Sequence, residues 1–364
     1  MTNSLMTNSS TETDSDFHSV TPCLAPAELR LSGRLKVEPE DFVVEEIPAY
    51  EPSGAGEHLF LRIQKRDVSA ESLIAHLATT LQISRDKIGV AGLKDRRAMT
   101  RQWVSVPAAA CPDISKIETA AIQVLQTALH GNKLKTGHLT GNRFEIVLRN
   151  VEPDALERAR QICSLIQQSG MPNYFGDQRF GIDGQTLTLG MSLLKGTASA
   201  RKIPYHRRKF LLRLALSASQ SALFNEVVRL RLERGILQQV QPGDVMQVRA
   251  SGGLFVVEDA KAEQVRCDRK EIVITGPLFG PKMKSPLAEV FELEQQVLKS
   301  AGLTRDVFRE HKKLTPGTRR PLIVSPECLQ VDPDPNGLRL TFSLPSGSYA
   351  TVLLREFLKS PAVE

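Results

Sequence analysis

Hydrophobic positions recur along this chain with two different periods, and the switches between them predict its elements. Phe42-Val43-Val44-Glu45-Glu46-Ile47 reads as a strand stopped by Pro48, and the turn Pro52-Ser53-Gly54 follows. Leu59, Leu61 and Ile63 alternate with Phe60, Arg62 and Gln64, the period of a half-buried strand. Ser69 is placed to cap a helix whose apolar stripe is Leu73, Ile74, Leu77 and Leu81, with Glu71 favourably set in its first turn. Ile88-Gly89-Val90-Ala91 gives a short strand ending at Gly92, and Gln102, Val104 and Val106 resume the two-residue period. A further strand follows from Phe144, Ile146 and Leu148. A helix then fits Ala155 to Gln168, with Leu156, Ala159, Ile162, Cys163 and Ile166 on one face and Gly170 and Pro172 to end it.

Beyond Gly176 the character changes, from glycine-rich sequence to a basic segment and then to helical periodicity (Leu223, Val227, Leu230) within residues 217–234. Strand-like pieces lie at Val245–Val248, Leu254–Val257 and Ile272–Ile274, and helical periodicity returns across Leu287–Leu298. Leu338–Leu344 reads as a strand, Pro345–Ser348 as a turn and Tyr349–Lys359 as a helix. No repeat of solenoid period is present, and strands and helices mix without a βαβ rhythm, so the expected class is α+β. Residues 1–24 are rich in Ser, Thr, Asn and Asp with almost nothing to bury, the composition of a disordered tail.

Charge sharpens this picture. The formal net charge is +6, but all 47 basic residues lie beyond residue 24 with only 38 of the 41 acidic ones, an excess of nine that suits a nucleic-acid partner. The five cysteines are scattered and odd in number, which argues for reduced thiols in a cytoplasmic protein. No His-x-x-x-His pair or close cysteine pair suggests a metal site. No stretch approaches eighteen apolar residues, so a membrane span is not expected.

The richest candidate chemistry is the run Gly92-Leu93-Lys94-Asp95-Arg96-Arg97-Ala98-Met99-Thr100-Arg101-Gln102-Trp103. It sets one carboxylate, Asp95, among Lys94, Arg96 and Arg97 on a loop just past a glycine able to turn sharply. An aspartate paired to arginine in a turn is an ordinary structural feature. A lone acid in a basic loop also suits a nucleophile or general base brought to a polyanion. Thr100 and Gln102 are placed to hold the loop by hydrogen bonds. The run is not a nucleotide-binding loop: Lys94 lacks the preceding Gly and following Ser or Thr, and Asp95 would repel phosphate. Residues 201–214 carry six cations and no acid, with Tyr205 and His206 interleaved. This is either a solvated face or a patch that tracks a phosphate backbone, in which Arg207, Arg208 and Lys209 are the centre. Lys312-Lys313 and Arg319-Arg320 extend the same idea. Phe42, Phe144, Phe180 and Phe342 are either core residues or platforms for an extruded base.

Taken together, these segments resemble the pseudouridine synthase D family of transfer-RNA modifying enzymes, over nearly the whole chain after the tail. The opening run is the most specific match. Support comes from Lys36-Val37-Glu38-Pro39-Glu40-Asp41-Phe42, Gly141-Asn142-Arg143-Phe144, residues 170–181, Thr275-Gly276-Pro277-Leu278-Phe279-Gly280 and residues 342–351. Relatives often carry His where this chain has Arg97, which makes the site here more basic.

The resemblance implies an isomerase that converts uridine to pseudouridine at position 13 of transfer RNA, without a metal, a nucleotide or any other cofactor. It implies Asp95 as the catalytic aspartate, with Lys36 near it. Phe42, Asn142 and Phe342 would contact the flipped uridine, and Phe144 would pack beside it. Lys94, Arg96 and Arg97 become the setting that brings RNA to the aspartate. The implied fold is a pseudouridine-synthase core of mixed sheet flanked by helices, in two parts, 25–169 and 321–364, around a large inserted α+β domain over 170–320. A monomer in the cytoplasm, with transfer RNA as partner, completes the expectation. The rival reading is a non-catalytic RNA-binding or RNA-folding protein with the same basic surface.

Overall fold

The computed structural model describes residues 21–110 and 113–359. Among the described residues two compact units emerge, one built from 23–171 with 324–359 and the other from 172–323. In chain order, the first unit opens with β1 (Phe42–Pro48), β2 (His58–Arg66), α1 (Ala70–Thr80), β3 (Gly89–Val90), β4 (Met99–Pro107), β5 (Ile122–His130), β6 (Leu139–Arg149) and α2 (Ala155–Ser169). The short β7 (Met171–Pro172) lies where the chain leaves it. The second unit holds α3 (Gln185–Leu194), α4 (Tyr205–Glu233), β8 (Val245–Val248), β9 (Leu254–Val256), α5 (Ala260–Asp268), β10 (Ile272–Leu278), α6 (Ala288–Ser300), α7 (Val307–Glu310) and β11 (Thr318–Pro321). The chain returns at β12 (Ile323–Val324) and finishes the first unit with β13 (Glu327–Asp334), β14 (Gly337–Pro345) and α8 (Ala350–Phe357).

The first unit is organised by one mixed sheet in the order β13-β14-β6-β1-β4-β2-β5, with β3 paired to β4. Only β1 and β4 run parallel; the other pairs are antiparallel. Leu61 and Ile63 from β2, Val104 and Val106 from β4, and Leu73 and Leu77 from α1 share one core cluster. Ser69 caps α1 by accepting from the Ser72 amide, as its position suggests. The second unit has its own antiparallel sheet, β11-β10-β8-β9, so the chain is α+β throughout. There α3 crosses α4 at close range because Gly190 has no side chain; a Cβ would lie 2.1 Å from the Ala215 carbonyl oxygen.

Several elements differ from the sequence reading. The helix expected over 217–234 begins twelve residues earlier, at Tyr205, and takes the basic segment into its first turns. Eight elements have no counterpart in that reading: β5, α3, α5 and β13, and the short β7, α7, β11 and β12. β5 and β13 are the two edges of the sheet, where only one face meets the core and a run of apolar residues is not required. α5 buries none of its side chains fully, so it has no apolar stripe to detect. The tail expectation falls mostly on residues 1–20, outside the described residues. From Cys23 the chain is tied to α8: the Cys23 thiol bonds the Arg355 carbonyl, and the Ala25 amide donates to Glu356 Oε2 at 2.8 Å.

Candidate active site

One face of the large sheet gathers six of the singled-out residues: Phe42, Thr100, Gln102, Asn142, Phe144 and Phe342. Strand alternation and register place Lys65 (β2), Thr100 (β4), Val44 (β1), Phe144 (β6) and Phe342 (β14) in a single row across five strands. Two residues along each strand, on the same face, stand Ile63, Gln102, Glu46, Asn142 and Leu344. The second row is apolar at its ends and polar in its middle, and the first runs from polar Lys65 and Thr100 to apolar Val44, Phe144 and Phe342.

The loop carrying Asp95 is fastened to this face by three lysines. Lys36 Nζ lies 3.0 Å from Asp95 Oδ2 and 4.2 Å from the centroid of the Phe42 ring. Lys36 itself sits in the left-handed region (φ 54°), which costs a non-glycine residue about 1 kcal/mol and is held here by these contacts. Lys65, wholly buried, donates to the main-chain carbonyls of Asp95 (2.9 Å) and Val68 (2.6 Å), joining two loops. Burial pushes the Lys65 ammonium down to about 8, against the opposing pull of the Asp95 carboxylate. Lys94 turns inward to Glu46 Oε2 at 2.7 Å. Burial pushes the Glu46 carboxyl up and the Lys94 charge pulls it back. Gly92 provides the space for this pair rather than a sharp turn: its φ is not positive, and a Cβ there would lie 3.1 Å from Lys94 Nζ.

Held in this way, the Asp95 side chain remains 46% exposed and open to a ligand. A cleft of about 340 Å³ beside it is lined by Arg34, Leu35, Lys36, Val37, Pro39, Asp67 and Arg97. Phe144 stacks on Phe342 (centroids 5.1 Å, 22°) and meets Phe42 edge-on (6.3 Å, 74°). All three rings are buried, so they form a wall whose packing is already complete. Asp95, Lys36, Phe42, Phe144 and Phe342 are thus linked by successive contacts, with Asn142 two residues from Phe144 on the same face. Asn142 Oδ1 is buried with no hydrogen-bond partner.

Three expectations are corrected by these positions. Thr100 and Gln102 do not hold the loop: Thr100 Oγ1 and both Gln102 amide atoms are buried without a partner, because β4 already starts at Met99 and turns them onto the sheet face. The lysines do that work instead. Lys94, expected at RNA phosphate, has its side chain only 5% exposed and its ammonium committed to Glu46. Arg319 and Arg320 leave the proposed basic surface. Arg319 is buried against Glu294 (2.7 Å), and Arg320 bonds Asn173 and stacks over Phe175 (4.1 Å). Lys65 and Glu46 were not singled out by sequence, since a single lysine or glutamate in an alternating strand looks like a solvent-facing residue.

The remaining cations are disposed differently. Arg96 is exposed, 3.7 Å from Asp67, and Arg97 is an exposed wall of the cleft. On α4, Arg207 and Lys209 are exposed, with Tyr205 (87%) and Phe210 (66%) beside them. Arg208 is partly committed to structure, donating to the Ile203 and Arg201 carbonyls. Among the described residues no group of three or more His, Cys, Asp or Glu could hold a metal ion, and no helix is long and apolar enough to cross a membrane.

A lysine-paired aspartate is thus linked through Lys36 to an aromatic wall on one face of a mixed sheet. The family model for tRNA pseudouridine synthase D (TruD) matches residues 23–203 and 206–357. A tRNA pseudouridine synthase D of Thermus thermophilus is 42% identical over 92% of this chain and 91% of its own. One from Anaeromyxobacter dehalogenans is 39% identical over 91% and 94%. The crystal structure of a Methanosarcina mazei protein assigned as tRNA pseudouridine synthase D superposes with a TM-score of 0.73 at 27% identity, covering 91% of this chain and 94% of that one. The chain therefore belongs to the tRNA pseudouridine synthase D family. As a member it is an isomerase, converting uridine in transfer RNA to pseudouridine.

Proposed function

We propose that Asp95 is the catalytic aspartate of this isomerase, that the target is the uridine at position 13, and that Lys36, Phe42, Asn142, Phe144 and Phe342 form its substrate pocket. The observation that carries the reading is the geometry at Asp95: a half-exposed carboxylate with one oxygen fixed 3.0 Å from Lys36, and with its backbone fixed by buried Lys65. An acid held this firmly on both its side chain and its main chain is preorganised for a reaction.

The chemistry follows from what the site must do. A uracil stacked in folded RNA has to leave its stack before its bond to ribose can be broken. The N1–C1′ bond breaks and a C5–C1′ bond forms; the proton lost from C5 is matched by one gained at N1, so nothing is oxidised or transferred to another molecule. The Asp95 carboxylate attacks the ribose or the base, or takes a proton from the sugar. The Lys36 ammonium keeps it aimed, and the unpartnered Asn142 carbonyl offers a hydrogen bond to the base. Exposed Arg96 and Arg97 hold neighbouring phosphates, and Arg207 and Lys209 provide a second basic surface. The enzyme acts as a monomer in the cytoplasm, and the two parts 25–169 and 321–364 form the catalytic core around an inserted domain at 170–320.

The test is Asp95→Asn, which preserves shape and removes the ionised oxygen. Pseudouridine formation in transfer RNA is expected to vanish while RNA binding stays within a few-fold of the parent. Turnover at the parent rate would sink the assignment. Mapping the product base along the transfer RNA tests position 13.

A further inference from the structure

We propose that Gln102 and Thr100 form a polar floor that grips the uracil ring after it is detached from ribose. The proposal rests on the Asp95 site reading above and assigns to it two residues that the aromatic wall and Asn142 do not account for.

Gln102 is 2% exposed and Thr100 is fully buried, yet Gln102 Oε1, Gln102 Nε2 and Thr100 Oγ1 make no hydrogen bond. Buried amide and hydroxyl groups are almost always paired, because leaving them unmet forfeits their hydration without return. Three unmet atoms on two successive inward positions of one strand, with Glu46 Oε1 and Asn142 Oδ1 also unmet on the same face, leave hydrogen-bonding capacity that a polar ligand can take up. Their place identifies it. Thr100 lies between Lys65, which holds the Asp95 carbonyl, and Val44, in the row that continues to Phe144 and Phe342. Gln102 is the next inward residue on β4, one strand from Glu46, whose carboxylate binds the lysine preceding Asp95.

A uracil ring matches this floor. Its edge presents two carbonyl acceptors flanking one imide N–H. A carboxamide presents a donor and an acceptor side by side, so Gln102 pairs with one carbonyl and the imide N–H together, and the Thr100 hydroxyl donates to a further oxygen. The need for such a grip arises within the reaction. Once N1–C1′ has broken, the ring is tethered to nothing and carries the bonding electron pair as negative charge over N1 and the carbonyls. Donors from Gln102 and Thr100 stabilise that charge, while the apolar wall lets the ring turn until C5 faces C1′. In the free protein these atoms are screened from solvent, so the side chains covering them move aside as the base enters.

A floor that exists for substrate should be a burden to the empty fold. Gln102→Met and Thr100→Val keep shape and delete the unmet groups. Each is expected to lower single-turnover pseudouridine formation at least tenfold, with transfer-RNA affinity within twofold of the parent and a melting temperature equal to or above it. Thr100→Ser, which restores the hydroxyl, should recover most of the rate, and Gln102→Glu, which removes the donor without changing size, should not. Rates within twofold of the parent for Gln102→Met and Thr100→Val would overturn the proposal. So would a lowered melting temperature with the rate intact, the signature of a buried structural water. Asp95→Asn measured alongside separates the two readings. If it is inactive while Gln102→Met and Thr100→Val are normal, only the floor fails; if it is active, the site reading itself fails.

Discussion

Lys65 carries its charge in a setting where lysine is rarely found, fully covered and bonded to two neutral carbonyls. Its ammonium is pushed down to about 8 in the fold, whereas an unfolded lysine keeps its proton to about 10.4. Between those values the unfolded chain binds more protons than the native one, so stability rises with pH across that window. Denaturant titrations of the parent and of Lys65→Met should show the parent gaining relative stability between about pH 8 and 10.5. A flat difference would mean that Lys65 is not desolvated. The sequence picks out Asp95 from its basic loop, and the structure adds what fastens that loop. Two of the lysines that hold it, Lys36 and Lys65, lie 59 and 30 residues away along the chain, a proximity that the fold creates.

Among the elements, periodicity was a good guide wherever one face of a strand or helix is buried and the other wet. β1, β2, β4, β6, α1 and α2 were legible for that reason. It failed at the sheet edges β5 and β13, and in α4, where the basic first turns hide a helix whose buried half starts near Ala215. That helix is anchored by Arg231, which bonds Asp244 at 2.7 and 3.0 Å with both side chains almost fully covered. Arg231→Met leaves Asp244 buried and unpaired, and is expected to destabilise the second unit by about 3–5 kcal/mol. Urea unfolding followed by circular dichroism measures the loss; the companion change Asp244→Asn in the Arg231→Met background should restore part of it. A single-change effect below about 1 kcal/mol would show that water reaches the pair.

For the whole molecule, the net positive charge read from composition divides into two kinds. Part of it is structural: Lys65, Lys94, Arg231 and Arg319 are buried cations that RNA cannot reach. Other cations are open to a polyanion, Arg207 and Lys209 among them, since both are exposed. Neutralising both as Arg207→Gln and Lys209→Gln should weaken transfer-RNA binding and reduce the slope of log affinity against log salt by about 1–2. Unchanged affinity and slope would return that stretch of α4 to an ordinary solvated surface. Adding Arg208→Gln is expected to bring a stability loss as well, since its guanidinium holds the turn before α4.

The class of fold, the family and the candidate acid Asp95 are legible in the chain alone, because these rest on local order: alternation, capping and a contiguous run of residues around Asp95. Tertiary structure decided which charges serve chemistry and which serve the fold. Lys94 and Lys65 look alike in sequence to Arg96 and Lys209, and Gln102 looks like any polar residue in a strand. Their burial is set by neighbours distant in the chain, and it is burial that turns a lysine into a brace and an unmet amide into a place for a base.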